Sequence, residues 1–432
     1  AKARKTRGAK LVVIDPYRTP TAEAADIHIP IRPGTDGALA CAIMQVLFAE
    51  NLADWDYMRE FSDGPERLQQ HLTTRTPEWA EEITGIPADD IRDLARLYGR
   101  TERAYLRVGY GFTRSRNGAA NMHAVTCLPV VTGKWKHRGG GALFSNRELY
   151  GVDGTLIKGL DVVDPNTRAL DMSQIGRVLP GDAKALQGGP PVTMLFTQNI
   201  NPAEVAPETT RVIDGMMRDD LFTCVHEQFM TASAKLADIV LPATMFLEHE
   251  DMYQGGGHFY LQVHKALIEP LGECRSNVDV INGLARRLGS DYPAFHMTAW
   301  ELIDDALRRS GRPGADEVLA EGWIDCTKPF EEAHFLNGFG HGDGKFHFAA
   351  DWSKVGADCD AMSALPDHLD VIDGATDAHP YRLVAAPARR FLNTSFTEMP
   401  SSRKKEGRPM ALVHPDTCKT LGLEEGDRVR LG

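Results

Sequence analysis

An internal repeat restricts the fold of this chain more than any other feature. With an offset of 212, residues 15–30 lie over residues 227–242 without a gap. Thr19/Thr231, Ala22/Ala234, Ala25/Ala237, Asp26/Asp238, Ile27/Ile239 and Pro30/Pro242 are identical, and Asp15/Glu227, Tyr17/Phe229, Thr21/Ser233 and Ile29/Leu241 are conservative, so ten of the sixteen positions agree in chemistry. Self-similarity at a fixed distance marks two copies of one supersecondary unit. In each copy an apolar strand ends in an acid, Asp15 or Glu227, and a short crossover leads to a second apolar segment. That is the pattern of parallel α/β construction, in which ligands bind beyond the carboxyl ends of the strands.

An acid at such an edge can accept hydrogen bonds from ribose hydroxyls. A lone acid there is more often a turn or capping residue, and its presence in both copies favours the ligand role. A second acid, Asp36 in Pro33-Gly34-Thr35-Asp36, has Glu248 at the same offset. Its carboxylate could pair with the N1–H and amino group of guanine, the alternative being a helix N-cap, since a helix follows directly. In the second copy the strand ending at Phe196 runs into Thr197-Gln198-Asn199-Ile200-Asn201-Pro202, where backbone N–H groups and Asn amides are offered to a diphosphate. Moved back by 212, Asn199 falls before Ala1, so the matching loop of the first copy is expected upstream and the chain is read as a piece of a longer protein.

Along the 432 residues the patterns divide into a first α/β portion over 1–150, an irregular connection over 151–190, a second α/β domain over 191–340, a linker over 341–378, and short strands and turns from 379 to 432 that suggest the start of a β-barrel. The net charge of −12 works against a nucleic-acid partner. No apolar run reaches the ~18 residues of a membrane helix, so no membrane span is expected. Seven scattered cysteines, at 41, 127, 224, 274, 326, 359 and 418, contain no C-x-x-C pair and match neither a disulfide framework nor a metal set. They read as packed thiols in a reducing compartment, the cytoplasm, with the periplasm as the alternative should upstream residues carry an export signal. No metal ligand is assigned.

The segments Gly8–Asp26, Pro33–Asp36, Ala237–Pro242 and Leu423–Val429 resemble, in order, the molybdopterin oxidoreductases of the dimethyl sulfoxide reductase superfamily. Tyr253–His258, Pro270–Asn277 and Phe391–Phe396 fit its formate dehydrogenase and sulfoxide reductase-like group. The resemblance implies two duplicated dinucleotide-binding α/β domains with a C-terminal double-psi β-barrel, here truncated. It also implies a molybdenum bis(molybdopterin guanine dinucleotide) cofactor, a small-molecule substrate and an electron-transfer subunit as partner. Residue by residue, Asp15 and Asp36 would serve one guanosine, while Asn199, Asn201, Glu227 and Asp238 would serve the other. Gly109, Tyr110, Gly111 and Arg114 would approach a pterin, and Arg389, Arg390 and Asn393 would open a dinucleotide-contacting loop. Asn146 and Arg147 fall near the metal funnel of relatives, a surface charge being the alternative for Arg147. His258, after three glycines, is the histidine singled out for the funnel, against a plain surface-loop role. A [4Fe–4S] cluster and the molybdenum ligand belong, in relatives, to a region upstream of Ala1. A non-catalytic scaffold subunit of an electron-transfer complex would share this fold. An ordinary NAD-dependent enzyme would not fit, because Gly109-Tyr110-Gly111 lacks the third glycine of G-x-G-x-x-G.

Overall fold

A computed structural model describes residues 2–354, 362–370 and 374–431; Cys359 and part of the 341–378 stretch lie outside them. Among the described residues ten strands form: β1 (Val12–Ile14), β2 (Ile27–Ile29), β3 (Tyr105–Arg107), β4 (Gly141–Leu143), β5 (Met194–Gln198), β6 (Phe222–Glu227), β7 (Ile239–Pro242), β8 (Asp251–Gln254), β9 (Tyr260–His264) and β10 (Ile324–Asp325). Two compact units result, each discontinuous in sequence. One comprises Ala1–Ile157, Asp251–His264 and Trp300–Ala385, the other Lys158–Glu250, Lys265–Ala299 and Ala386–Gly432.

The first unit is organised around the helix Asp36–Ala49. Eleven of its residues are buried, on all sides, and a helix apolar all round belongs in the middle of a core. Helices Pro65–Leu72, Pro77–Thr84, Ala88–Arg100 and Gly118–Val131 surround it. Gly99 permits a close approach of one of these helices: a Cβ there would stand 2.6 Å from Leu47 Cδ2. Leu47 itself is fully buried, worth about 1.5–3 kcal/mol. The parallel pairs β1–β2 and β3–β4 complete this part.

The stretch 341–378, expected as a linker, is instead partly core. Phe348 and Leu365 are buried in the same cluster, with Phe346 packed against it. Asp367 accepts hydrogen bonds from Arg75 at 2.6 and 3.1 Å. Aromatic residues spaced among glycines carry no helical or strand period, which is why the sequence pattern reads as a loop. The antiparallel sheet β10-β9-β8 also belongs to the first unit. Its alternating Leu261 and Val263 pack on Ile303, Leu307 and Val318 of the two helices Ala299–Arg309 and Ala315–Glu321. The expected second domain over 191–340 therefore cedes 251–264 and 300–340.

The second unit holds the parallel sheet β5-β6-β7. Thr223 to His226 are buried along its central strand, and Leu179, Val212, Met216 and Leu221 form its core. Residues 151–190, expected as an irregular connection, supply buried Val178, Leu179, Ala185 and Leu186. From 379 onward no strand forms among the described residues. The runs expected as strands, 381–386 and 411–414, are exposed, Leu383 to 72% and Leu412 to 82%, and the regular elements are two helices, Pro400–Glu406 and Pro415–Leu421. A strand exists only through its ladder, and no described residue offers these runs one.

The two sequence copies adopt one geometry. β1 and β2 pair in parallel with Val12 opposite Ile27 and Ile14 opposite Ile29. β6 and β7 pair with Cys224 opposite Ile239 and His226 opposite Leu241, the same register displaced by 212. The crossover turns match as well: Thr19 Oγ1 accepts from Ala22 N–H and Thr231 Oγ1 from Ala234 N–H, both at 3.2 Å.

Candidate functional site

At the strand edge of the first unit, Asp15 follows β1 and Asp36 opens the central helix. Asp15 Oδ1 accepts from Tyr17 N–H at 3.3 Å, closing its own turn. Asp36 is not the N-cap that the sequence leaves open as an alternative. Thr35 occupies that position, makes no side-chain capping bond, and donates its hydroxyl to the Arg32 carbonyl at 2.6 Å. Burial and, to a smaller extent, the charge of Asp15 push the Asp36 carboxyl up to about 6, against the pull of its own backbone N–H. No other described group hydrogen-bonds it.

The turn carrying Asp36 is held by two amides of the helix Gly118–Val131 and its N-cap, Asn117 and Asn121, 0% and 1% exposed. This N-cap lies three residues beyond the segment Gly109–Arg114, so two of the expected cofactor segments share one framework. Gly109 precedes a 3-10 turn over Tyr110–Arg114. Neither Gly109 nor Gly111 has a positive φ, and a Cβ on either would meet nothing within 4 Å. The chain's own packing therefore gives no reason for glycine there. Tyr110 rests on Phe144, ring centroids 4.6 Å apart, and Arg114 is exposed.

The edge of the second unit is more committed to structure. Asn199, exposed and at φ +58, turns the chain as it leaves β5, a conformation Asn tolerates better than most residues. Asn201 is buried: its Oδ1 accepts from Ser233 N–H at 3.1 Å and Ser233 Oγ at 2.7 Å, and its Nδ2 donates to Glu204 at 3.0 Å. It is a brace of the crossover, not an open amide. Asp238 likewise spends one oxygen on Thr223 N–H. Glu248, the counterpart of Asp36, places its two oxygens on the N–H groups of Met245 and Leu271 at 2.7 and 2.9 Å. Glu227 is half-buried at the end of β6 and accepts from Gln228 N–H. Beside it, His226 Nδ1 accepts from Gln198 Nε2 at 3.0 Å and Nε2 donates to the Arg275 carbonyl at 3.1 Å.

Asn146 and His258, 112 residues apart, come together in the first unit. Asn146 is buried, and its Nδ2 donates to the carbonyls of Gly255 and His258 at 2.8 and 2.7 Å. Tyr150 Oη accepts from Gly255 N–H at 3.0 Å and donates to the His258 carbonyl at 2.7 Å. Asn146 thus shapes the glycine turn. His258 stays exposed, its Nδ1 accepting from Tyr260 N–H at 3.1 Å. Arg147 is exposed. In the second unit the exposed Arg389 and Arg390 have their backbone N–H groups held by the Glu406 carboxylate, and Asn393 sits at φ +54.

Residues 1–287 match the family model described as molybdopterin oxidoreductase. The chain belongs to the molybdopterin oxidoreductase family. Within this family it falls in the dimethyl sulfoxide reductase superfamily. It is similar to a probable oxidoreductase, YoaE, of Bacillus subtilis (strain 168), at 35% identity over all of this chain and 62% of that protein. The dimethyl sulfoxide/trimethylamine N-oxide reductase of Rhodobacter capsulatus is 28% identical over 100% of this chain and 59% of its own length. The F420-dependent formate dehydrogenase subunit alpha of Methanocaldococcus jannaschii is 30% identical over 99% and 64%. The chain thus spans about six-tenths of the length of the curated relatives it matches. Its fold is like that of the acetylene hydratase from Pelobacter acetylenicus, with a TM-score of 0.78 at 23% identity over 99% of this chain and 63% of that one. No helix among the described residues is long and apolar enough to cross a membrane.

In this member of the family the sequence pattern names the acids but not Asn117 and Asn121, which hold the Asp36 turn, nor Tyr150, which holds the Gly255–His258 turn, nor the Arg75–Asp367 pair. A pair of Asn residues at i, i+4 opening an otherwise apolar helix was a usable signal. Phenol and carboxylate partners hundreds of residues away leave none.

Proposed function

We propose that this chain binds two molybdopterin guanine dinucleotides, one at the strand edge of each unit, as part of a molybdenum oxidoreductase acting on a small substrate. The observation that carries this reading is the Asp36 carboxyl, half-buried where the central helix opens and under the charge of Asp15, with its own N–H as sole hydrogen-bonding partner among the described residues. An acid drawn partly out of water with a single weak partner is costly, and the adjacent N1–H and amino donors of guanine would satisfy both of its oxygens. Asp15, at the end of β1, is placed to accept from ribose. Gly109 and Gly111, unneeded by the chain itself, leave backbone open to close approach by the pterin. Asn199 and Glu227 offer the corresponding amide and acid in the second unit, and the exposed guanidinium groups of Arg389 and Arg390 suit a diphosphate.

When bound, the molybdenum–pterin group supplies the two-electron redox centre for oxygen-atom or hydride transfer. His258, exposed and fixed through its turn with its ring against Gly255, is the side chain proposed to exchange a proton with a small substrate. Electrons would pass to or from a partner subunit. The protein purified from its native host should yield molybdenum by elemental analysis and two guanine nucleotides per chain after denaturation. Material from a host competent in cofactor synthesis that carries neither would overturn the reading.

A further inference from the structure

We propose that Asn117 and Asn121 are positioning residues that release Asp36 for ligand recognition by capping the Asp36 helix in its place. This rests on the proposed guanine role of Asp36. The first backbone N–H groups of a helix need acceptors, and an Asp or Thr at the start ordinarily provides one from its own side chain. Here neither does. Thr35 turns its hydroxyl to Arg32, and the N–H of Gly37 donates to Asn121 Oδ1 at 3.0 Å, an acceptor 84 residues away. Asn121 Nδ2 donates to the Gly34 carbonyl at 3.2 Å and to Asn117 Oδ1 at 3.1 Å. Asn117 Nδ2 donates to the Gly34 and Leu369 carbonyls, both at 2.8 Å, and Ser115 donates to its Oδ1 at 2.6 Å.

Every polar atom of the two buried amides is therefore used, and the Gly34–Gly37 turn is gripped on both sides of Asp36. Gly37 is required by this contact: a Cβ would stand 2.7 Å from Asn121 Oδ1 and 2.9 Å from the Asp367 carbonyl. Without the outside cap, the Asp36 carboxylate, already drawn to its own N–H, would turn further inward to serve the Gly37 N–H as well and away from a ligand. Hydrogen bonds to the ionised form would then lower its titration midpoint.

The test uses the whole protein with Asn121→Ala and, pressing the same contact from the opposite side, Gly37→Ala, in which the new residue is a better helix former. Two quantities are read: the Asp36 carboxyl midpoint by carbon-13 NMR, assigned with Asp36→Asn, and guanine nucleotide retained per chain by mass spectrometry. The midpoint is expected to fall from about 6 toward the ordinary carboxylate range in either variant, with at least tenfold less guanine retained at the first unit's site. A cooperatively folded variant with an unmoved midpoint overturns the inference, because a purely structural amide would weaken the fold without redirecting the carboxyl. A shifted midpoint in a protein that carries no guanine even as wild type upholds the positioning role and overturns the cofactor reading.

Discussion

Asp238 and Thr223 are joined twice across the β6–β7 crossover: the Asp238 N–H donates to the Thr223 carbonyl at 2.9 Å, and the Asp238 carboxylate accepts from the Thr223 N–H at 2.7 Å. Asp26 and Leu11 repeat the arrangement in the other unit at 2.9 and 2.8 Å. The aspartate shared by the two copies thus closes the start of a strand. Asp238→Ala should cost about 1 kcal/mol, and Asp26→Ala should destabilise in the same direction, with loss of the Arg4 contact added. Urea unfolding of each variant measures this, and an unchanged midpoint for both would refute a structural role.

Tyr150 is 1% exposed, and its hydroxyl sits between Gly255 N–H and the His258 carbonyl. Tyr150→Phe would leave the Gly255 N–H without that acceptor, at a cost of about 1–3 kcal/mol. Amide exchange should quicken at 255–260 more than elsewhere in the unit. Uniform exchange across the hairpin would count against the clamp.

Asp36 titrates at about 6 in the folded chain and near 4 when unfolded. Between these values the folded state binds more protons, so this group's contribution to stability is complete below pH 4 and is lost as pH rises through 6. Asp36→Asn should remove that slope and be the more stable protein at pH 7, while losing guanine nucleotide. Thermal unfolding from pH 4 to 7, compared between the two proteins, gives the answer.

Burial opposes the charge on Asp367, but hydrogen bonds from His71 and Arg75 outweigh it and hold the carboxyl well below the usual range. Stability from this contact is present above pH 4 and lost as pH falls. Asp367→Asn should cost about 2 kcal/mol at neutral pH and little in strong acid. An equal loss at both pH values would show that packing, not charge, ties the 363–369 segment to the unit.

How much of this was legible follows from where the information lies. The repeat and its strand ends were readable because period and register are local: the 212 offset in sequence is the offset in pairing. Asp15 and Asp36 were readable because an acid after an apolar run has few roles. The crossover bonds of Asn201 and Asp238 were not readable, because the same residue types serve a cofactor or a crossover and these bonds depend on Ser233 and Thr223 arriving within 3 Å. The discontinuous units were invisible, since β8, β9 and the 341–378 aromatics find their partners only through tertiary packing. The exposed runs at 381–386 and 411–414 carry strand composition without a ladder.

The contact of Gly99 with Leu47 bears on how this protein can change over time. A methyl group at 99 would press on Leu47 and more lightly on Leu52, so drift at 99 is coupled to 47, a larger residue at one eased by a smaller one at the other. Gly99→Ala alone should cost about 1–3 kcal/mol, and Leu47→Val introduced with it should recover part of that loss. In descendants of this sequence the two positions would keep a joint memory, although 52 residues separate them along the chain.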